Sequence, residues 1–558
     1  MARTVRWPAL LIGAGATLLI IALAYLALTY TTVTVPTTGG TYVEGVAGFP
    51  HAINPLLAAY NDVDRDLCAL VFSGLTRMNA QGAVEPDLAL KWEISLDGLT
   101  YIFHLRSGLR WPDGAPLTAD DVLFTIGLMQ DPDFPGPSDL GALWRTVQVF
   151  KDDDRTVRFV LSEPFAPFLD YTTIGLLPAH LLEGIRAADL PYLDFNLQPM
   201  GSGPFQVAEV ETQEGDIVSI LLKPNPAYYG PKPYLEGVRF RFYPSYQSAF
   251  RAFQAGEVEG VGRITLSELP QARQEEDLNL YSAPLADQVL IFLNLAKKDE
   301  LPFFQEKEVR QALLYGLDRQ GLVDGILDGQ AIVAHSPILA GTWAYDEGIR
   351  HYEYDPQKAG ALLDGAGWKA PPGGRVRMKD EQAFSFTLLS STDPVHAAVA
   401  QEVARLWQAI GIDVQAVALP PLEMRDALER RDYQAALVEL ALPGNPDPYP
   451  LWHQTQITTG QNYAGLDHRR ISEIIETARI TIDPTRQAAL YREFQALFAD
   501  EVPAVLLYQP IYTYGVDRKV QGVQMGPLMY PSDRLATISS WYIATRRVIV
   551  SQAELRQR

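Results

Sequence analysis

The hydrophobic and polar positions divide the chain into stretches of different rhythm. Residues Pro8 to Leu28 are almost entirely apolar. They lie in an uncharged run from Trp7 to Val43 that follows Arg3 and Arg6, and Glu44 is the first acid. About 20 consecutive apolar residues match the thickness of a bilayer, and flanking arginines stay on the cytoplasmic side. The pattern predicts a single N-terminal transmembrane helix with the remaining chain outside the cell. A cleaved signal peptide is the competing reading, but its apolar core runs to only about 7–15 residues. "TVPTTGG", Thr34 to Gly40, reads as a linker. After it, "TYVEGV" reads as a strand, and an apolar helix containing Leu67, Leu70 and Val71 follows, capped by Asn61 or Asp62.

From about Gly74 to Met200 the pattern is mostly β. In "LTYIFHLR", Tyr101, Phe103 and Leu105 alternate with Thr100, Ile102 and His104 after an Asp97-Gly98 turn. "VQVFKDDDRTVRFVL" reads as a hairpin that turns at Asp152 to Arg155. The later half changes rhythm. "FSFTLLSS" is a strand, Val395 to Ile410 a helix ended by Gly411, "IDVQAVAL" a strand, Leu422 to Arg431 a short helix and "AALVELAL" a strand. Such β-α-β-α-β runs form parallel sheets with right-handed crossovers, and ligands bind beyond the carboxyl ends of their strands. There lies "PGNPDPYPLWHQTQITTGQNY". Helices at Arg470 to Ile480 and Pro484 to Ala499 and a strand "AVLLYQPIY" complete the pattern.

Composition narrows the function. A chain of 558 residues suggests two to four domains, and 47% hydrophobic content fits a folded body. The formal net charge of -21 repels phosphate backbones and argues against nucleic acid. The single cysteine, Cys68, sits in an apolar run and reads as a core residue. Candidate chemistry is sparse. Thr118 to Asp121 has the form of a capping box, with Leu117 and Val122 as its staple, so Asp120 and Asp121 read as helix-start residues and not as catalytic acids. The three acids at Asp152 to Asp154 lack the ligand spacing of a calcium loop. "GSGPFQV", from Gly201, lacks the lysine of a phosphate loop and reads as a crossing between domains. "HYEYD", His351 to Asp355, reads as a solvated loop, and neither HExxH nor GxSxG occurs.

An ordered set of motifs resembles the extracytoplasmic solute-binding proteins of ABC transporters, in the large family (family 5) that includes dipeptide- and oligopeptide-binding proteins. The set comprises "PDLALKWEISLDGLTYIFHLRSGLRWPDGAPLTADDVLFT", "GSGPF", "NPAYYGPKPYLEGVRFRF", "FQAGEVEGV", "FLNL", "EVRQALLYGLDRQGLV", "YDPQKAGALLDGAGW" and "DPTRQAALYREFQALFADEVPAVLLY". It covers roughly Gly39 to Ser540. The resemblance implies an α/β bilobal, periplasmic-binding-protein-like fold (type II) with an additional β-rich inserted domain, here preceded by the transmembrane helix. Lobe I would comprise 39–74, 201–283 and 510–545, the insert 75–200, and lobe II 284–509. Residues 1–38 would be the anchor or signal segment with its linker, and 546–558 a tail.

By the same resemblance the protein is a monomer and no enzyme, and it needs no cofactor. It captures a small ligand, most often a peptide, between the lobes and delivers it to an ABC permease and ATPase. Sugars, opines and metal chelates are the other ligand classes. Relatives clamp the peptide ammonium with an aspartate in the loop after the last strand of lobe II. Aligned on Asp447-Pro448, that position falls at Gly444, and Asp447 is the nearest acid. Many relatives also carry a lipid-bearing cysteine after the signal segment, which this chain lacks. The candidate ligand-binding residues are Tyr60, Asn61 and Asp62 from lobe I, and Asn445, Asp447, Trp452, Gln454, Asn462 and Tyr463 from lobe II. Each has a competing role in stabilising its loop. Two other functions compete: a membrane-tethered extracellular hydrolase, and a ligand sensor or chaperone not coupled to transport.

Overall fold

The computed structural model describes residues 7–79, 83–442 and 444–551; Arg3 and Arg6 lie outside them. Trp7–Thr29 forms one 23-residue helix, and its side chains from Leu11 to Leu23 are exposed. Among the described residues, no helix is long and apolar enough to cross a membrane, so the transmembrane reading rests on the residue pattern alone.

The linker reading changes. Tyr30–Pro36 is a strand, paired antiparallel with Thr545–Ser551 from Tyr30 opposite Ser551 to Pro36 opposite Thr545. Alternating Thr and Val favour a pleated ribbon, but the partner lies at the far end of the chain, where no local pattern announces it. The supposed tail is therefore a strand up to Ser551, and 552–558 lie outside the described residues.

A 12-stranded mixed sheet runs through the body. At one end Ser385–Ser391 pairs in parallel with both Asp413–Leu419 and Ala435–Ala441, as the β-α-β-α-β pattern predicts. The helices between them are Pro394–Ala409 and Pro421–Glu429. The first stops one residue before Ile410 and is followed by Gly411 at φ +91°, a left-handed position that glycine takes without strain. At the other end Thr41–Ala47 pairs in parallel with Gly237–Tyr243.

The two ends share one strand, Ala504–Asp517. Its first half pairs with Asp287–Leu293 and its second half with Leu278–Pro284, both antiparallel. The change of partner falls at Pro510, which has no N–H to give to a ladder; its carbonyl accepts from Leu285 N at 3.0 Å. The apolar cores divide at the same level. One core runs from Val289 to Tyr508. Another joins Tyr42–Phe242 with Ala283, Leu285 and Tyr512–Trp541, and a small third spans Ala249–Leu278.

Within 75–200 the hairpins form a four-stranded antiparallel sheet in the order Ala89–Ile94, Thr100–Leu105, Thr156–Leu161, Val147–Asp153. Its core is continuous with that of the Tyr42–Phe242 body. Thr118 and Asp121 close a capping box on the helix Ala119–Gln130, with Thr118 N donating to Asp121 Oδ2 at 2.8 Å. The second Asp121 oxygen accepts from Ala179 N at 2.9 Å, so this acid pins two segments. Gly201 allows close approach: a Cβ there would lie 1.9 Å from the Val71 carbonyl oxygen. Cys68 is buried, which pushes its thiol well above the ordinary value. In "HYEYD", His351 stacks on His335 and Asp355 caps the helix Pro356–Gly365. Tyr352 is buried there, where the sequence suggested a solvated loop.

Candidate functional site

The strand Ala435–Ala441 ends beside Asp287–Leu293, with Glu439 opposite Val289 and Ala441 opposite Asp287. The period of two puts Asp287 and Glu439 on one face as diagonal neighbours. His396, in the first turn of the helix Pro394–Ala409, reaches Glu439 through Nε2 at 3.1 Å. Its Nδ1 lies 3.0 Å from Ser391 Oγ. Burial opposes the imidazolium, yet the hydrogen bond and charge of Glu439 outweigh it and raise the His396 pKa.

The body containing Tyr42 faces these acids with cations. Arg263 follows the short strand Gly260–Val261, and its guanidinium lies 5.8 Å from the Tyr246 ring centre and 5.6 Å from that of Tyr512. Tyr512 is fixed by donating its hydroxyl to Gly262 O. Asp62 and Arg65, in the helix Asp62–Val71, pair at 2.8 Å. Burial first, then the charges of Glu439 and Asp62, push Asp287 up to about 7, against the pull of Arg263 and Arg65. Among the described residues, no ion pair within 4 Å joins Arg263 or Asp287 to an opposite charge; Asp287 feels the charge of Arg263, and Arg263 that of Glu439. Charges of both signs thus face one another across the boundary between the two cores without meeting.

The loop after Ala441 closes one side of this boundary. Gly444 N approaches Met529 Sδ at 3.4 Å, and Asn445 N donates to Asp170 in the hairpin-rich region. Burial pushes Asp170 up to about 6, with the Asn445 N–H pulling the other way. Gly444 has φ +79°, and a Cβ there would stand 2.5 Å from Asp170 Oδ2. A side chain at this left-handed position would be strained and would displace the Asp170 carboxylate. Arg479 bridges the same boundary: it pairs with Asp447 at 3.1 Å and lies over Tyr449 at 4.3 Å and Phe165 at 5.0 Å.

The residues singled out in the sequence fall into three groups. Asp62 reaches the charged face. Tyr60 beside it is 77% exposed, and Asn61 caps the helix, accepting from Val63 N at 2.9 Å. Asn445 and Asp447 lie at the boundary. Asn445 Oδ1 is a buried acceptor without a partner among the described residues. Asp447 is spent on Arg479 and on Tyr449 N, at 3.1 Å each.

The third group lies within the Val289–Tyr508 body. Trp452 is 2% exposed and packs edge-on against Phe498 at 4.7 Å and beside Phe292 at 5.8 Å. Asn462 is fully buried and bonds His453 O, Leu466 O and Leu466 N. Tyr463 packs on Phe292 and under Arg431, and Gln454 is exposed with its N–H on Ser472 Oγ. Trp452 and Asn462 are thus both enclosed by their own body, where their packing and hydrogen bonds hold the loop to its core.

Sequence reading did not single out Arg263, Asp287, Glu439 and His396, the charged groups that the fold gathers at this boundary. The available signal was a lone charge set in or beside an apolar strand, as in "ALVELAL" and "DQVLIFL". Among the described residues, no three His, Cys, Asp or Glu side chains converge to hold a metal ion.

Comparison with known proteins bears on this geometry. Residues 83–463 match the middle region of the bacterial extracellular solute-binding proteins, family 5. The oligopeptide-binding protein AppA of Bacillus subtilis is 29% identical over 91% of this chain and 92% of its own length. The dipeptide-binding protein of Escherichia coli is 26% identical over 86% and 91%. Among solved structures, NikZ from Campylobacter jejuni in complex with Ni(L-His) is similar with a TM-score of 0.73 at 26% identity, covering 90% of this chain and 99% of that one.

Proposed function

We infer the function from one premise: the chain belongs to the bacterial extracellular solute-binding proteins of family 5. Proteins of this family serve ABC importers, binding a solute outside the cytoplasm and passing it to a permease. In this chain the ligand site is the boundary between the cores, lined by Arg263, Asp287, Glu439 and His396. The lobes follow the boundaries read from the sequence (39–74, 201–283 and 510–545; 284–509), with 75–200 attached to the first. The hinge is the pair of crossings at 284–287 and 509–511. The carrying observation is the shared strand Ala504–Asp517, which serves both bodies and changes partner at Pro510.

Hinge closure is a population shift, driven only by the ligand's preference for the closed form. The favoured ligand class is a peptide, supported by the relatives named for oligopeptides and dipeptides; a metal chelate such as that in NikZ is the alternative. The protein works as a monomer and transforms nothing. It is held at the outer face of the membrane by the segment Pro8–Leu28, or released after that segment is cleaved. Calorimetry of the full chain in detergent with defined di- and tripeptides, followed by mass spectrometry of the ligand, tests this reading. The expected result is saturable binding with the ligand recovered intact. Conversion of the peptide, or no binding by any peptide, chelate or sugar, contradicts it.

A further inference from the structure

The region 75–200 shares its core with the Tyr42–Phe242 body, so it moves with that lobe when the hinge bends. Its four-stranded sheet is separate from the 12-stranded one, and no ladder ties it to the other lobe. It nevertheless touches that lobe at three places. Asn445 N donates to Asp170. Arg479, already paired with Asp447 of its own lobe at 3.1 Å, lays its guanidinium 5.0 Å from the Phe165 ring centre. Ile482, three residues beyond the helix Arg469–Arg479, covers the turn between the strands Ala89–Ile94 and Thr100–Leu105. Gly98 in that turn is buried, and a Cβ on it would stand 2.0 Å from Ile482 Cδ1; turns between strands otherwise lie at the surface. Resting on the two-lobed receptor reading above, we propose that the region 75–200 is a latch that holds the lobes closed. Gly98, Phe165 and Asp170 form one side of it, and Ile482, Arg479 and Asn445 the other.

Each of the three pairs bridges the two bodies, so bending at 284–287 and 509–511 separates them together. They are cheap to break. Arg479 keeps Asp447 and Tyr449 as partners within its own lobe, so opening strands no charge. The Asn445 N–H and the Asp170 carboxylate exchange one hydrogen bond for bonds to water, a modest net loss. The apolar loss is the cover over Phe165 and Gly98. Closure is thus favoured and still reversible. The latch uses none of Arg263, Asp287, Glu439 and His396. It therefore adds the same closing free energy whichever solute lies in the cleft, and it governs how long the lobes stay shut and not which solute is chosen.

The test uses the full chain in detergent without any ligand, so its failure is distinct from that of the receptor reading, which falls only if no solute binds. Hydrogen exchange read by mass spectrometry follows the Asn445 amide, and small-angle scattering follows size. Ile482→Asp sets a carboxylate against the Asp97-Gly98 turn. It should speed Asn445 exchange about tenfold and enlarge the radius of gyration, although residue 482 touches a different part of the latch. Gly98→Asn should act in the same direction from the other side: asparagine accepts the left-handed φ of +70°, but its side chain meets Ile482. Leu422→Asp, at an exposed position of the same lobe as Ile482, should change neither reading. Circular dichroism confirms that each variant folds. Unchanged exchange and radius in both latch variants, or an equal effect of Leu422→Asp, overturns the inference.

Discussion

Two clusters in this protein contain nearly the same groups and behave in opposite ways. In one, Arg534 is buried between Glu44 and Asp66, at 2.6 and 2.5 Å, and Glu44 also accepts from the Tyr514 hydroxyl at 2.7 Å. In the other, Arg263 lies among tyrosines within reach of Glu439 and Asp287 but in contact with neither. The first is closed: its charges satisfy one another inside a single body, tying the strand Thr41–Ala47 to the helix Asp62–Val71 and to the segment around Arg534. The second is split between two bodies. A guanidinium with two carboxylates is thus a structural clamp where the partners share a core. Where a boundary divides them, the same groups are left without an ion pair between them, and it is there that the proposed ligand site lies.

The comparison breaks most visibly at Arg534. Arg534→Ala leaves two buried carboxylates without their cation and should cost about 3–5 kcal/mol of stability in denaturant unfolding. Asp287→Asn should leave stability unchanged or raise it. Equal losses in the two variants would erase the distinction.

Trp452 sharpens the same contrast from the apolar side. Enclosed by Phe498 and Phe292, it belongs with the closed elements, and Trp452→Ala should lower stability by about 3–5 kcal/mol. A fully stable variant with weakened binding would return it to the ligand site.

Proton competition gives a smaller effect. Asp287 is raised to about 7, and a bound cation would lower it again. A cationic ligand should therefore bind fully above pH 7 and lose about tenfold in affinity between pH 8 and pH 6. Titrations across that range should show the slope in the native protein and its flattening in Asp287→Asn. A slope that survives the substitution would assign the proton to His396.

The smallest effect concerns the contact of Asp170 with Asn445. Its pKa is raised to about 6 from an ordinary value near 3.8. Burial favours the neutral form, against the Asn445 N–H, which favours the carboxylate; the stability that protonation gives is complete below the ordinary value and is lost as pH rises through 6. Asp170→Asn should remove this slope between pH 4 and 6, with a change of about 1 kcal/mol in unfolding experiments. An unaltered profile would show that Asp170 does not control it.

Much of the fold was legible because its signals are local. The capping box at Thr118 and Asp121, the glycine after the helix Pro394–Ala409 and the β-α-β-α-β rhythm each report on a few consecutive residues. The ordered motifs then identified the family. The hidden features depend on distance along the chain. Glu44 and Arg534 lie at opposite ends of the body, as do Tyr30–Pro36 and Thr545–Ser551, and no periodicity joins them. The site was less legible for a related reason. Trp452 and Asn462 stand in a proline-rich loop that reads as a ligand loop, yet tertiary packing turns them inward. Asp287 and Glu439 read as ordinary strand residues until the fold brings the charge of Arg263, distant in sequence, to bear on them.

The central claim is that two bodies joined at 284–287 and 509–511 close on a guest held between them. Small-angle scattering of the full chain in matched-out detergent, with and without a bound peptide, tests it most directly. The account predicts a smaller radius of gyration with the peptide in the native protein and no change in an Arg263→Gln, Glu439→Gln double variant. An unchanged radius in the native protein at saturating peptide would contradict it.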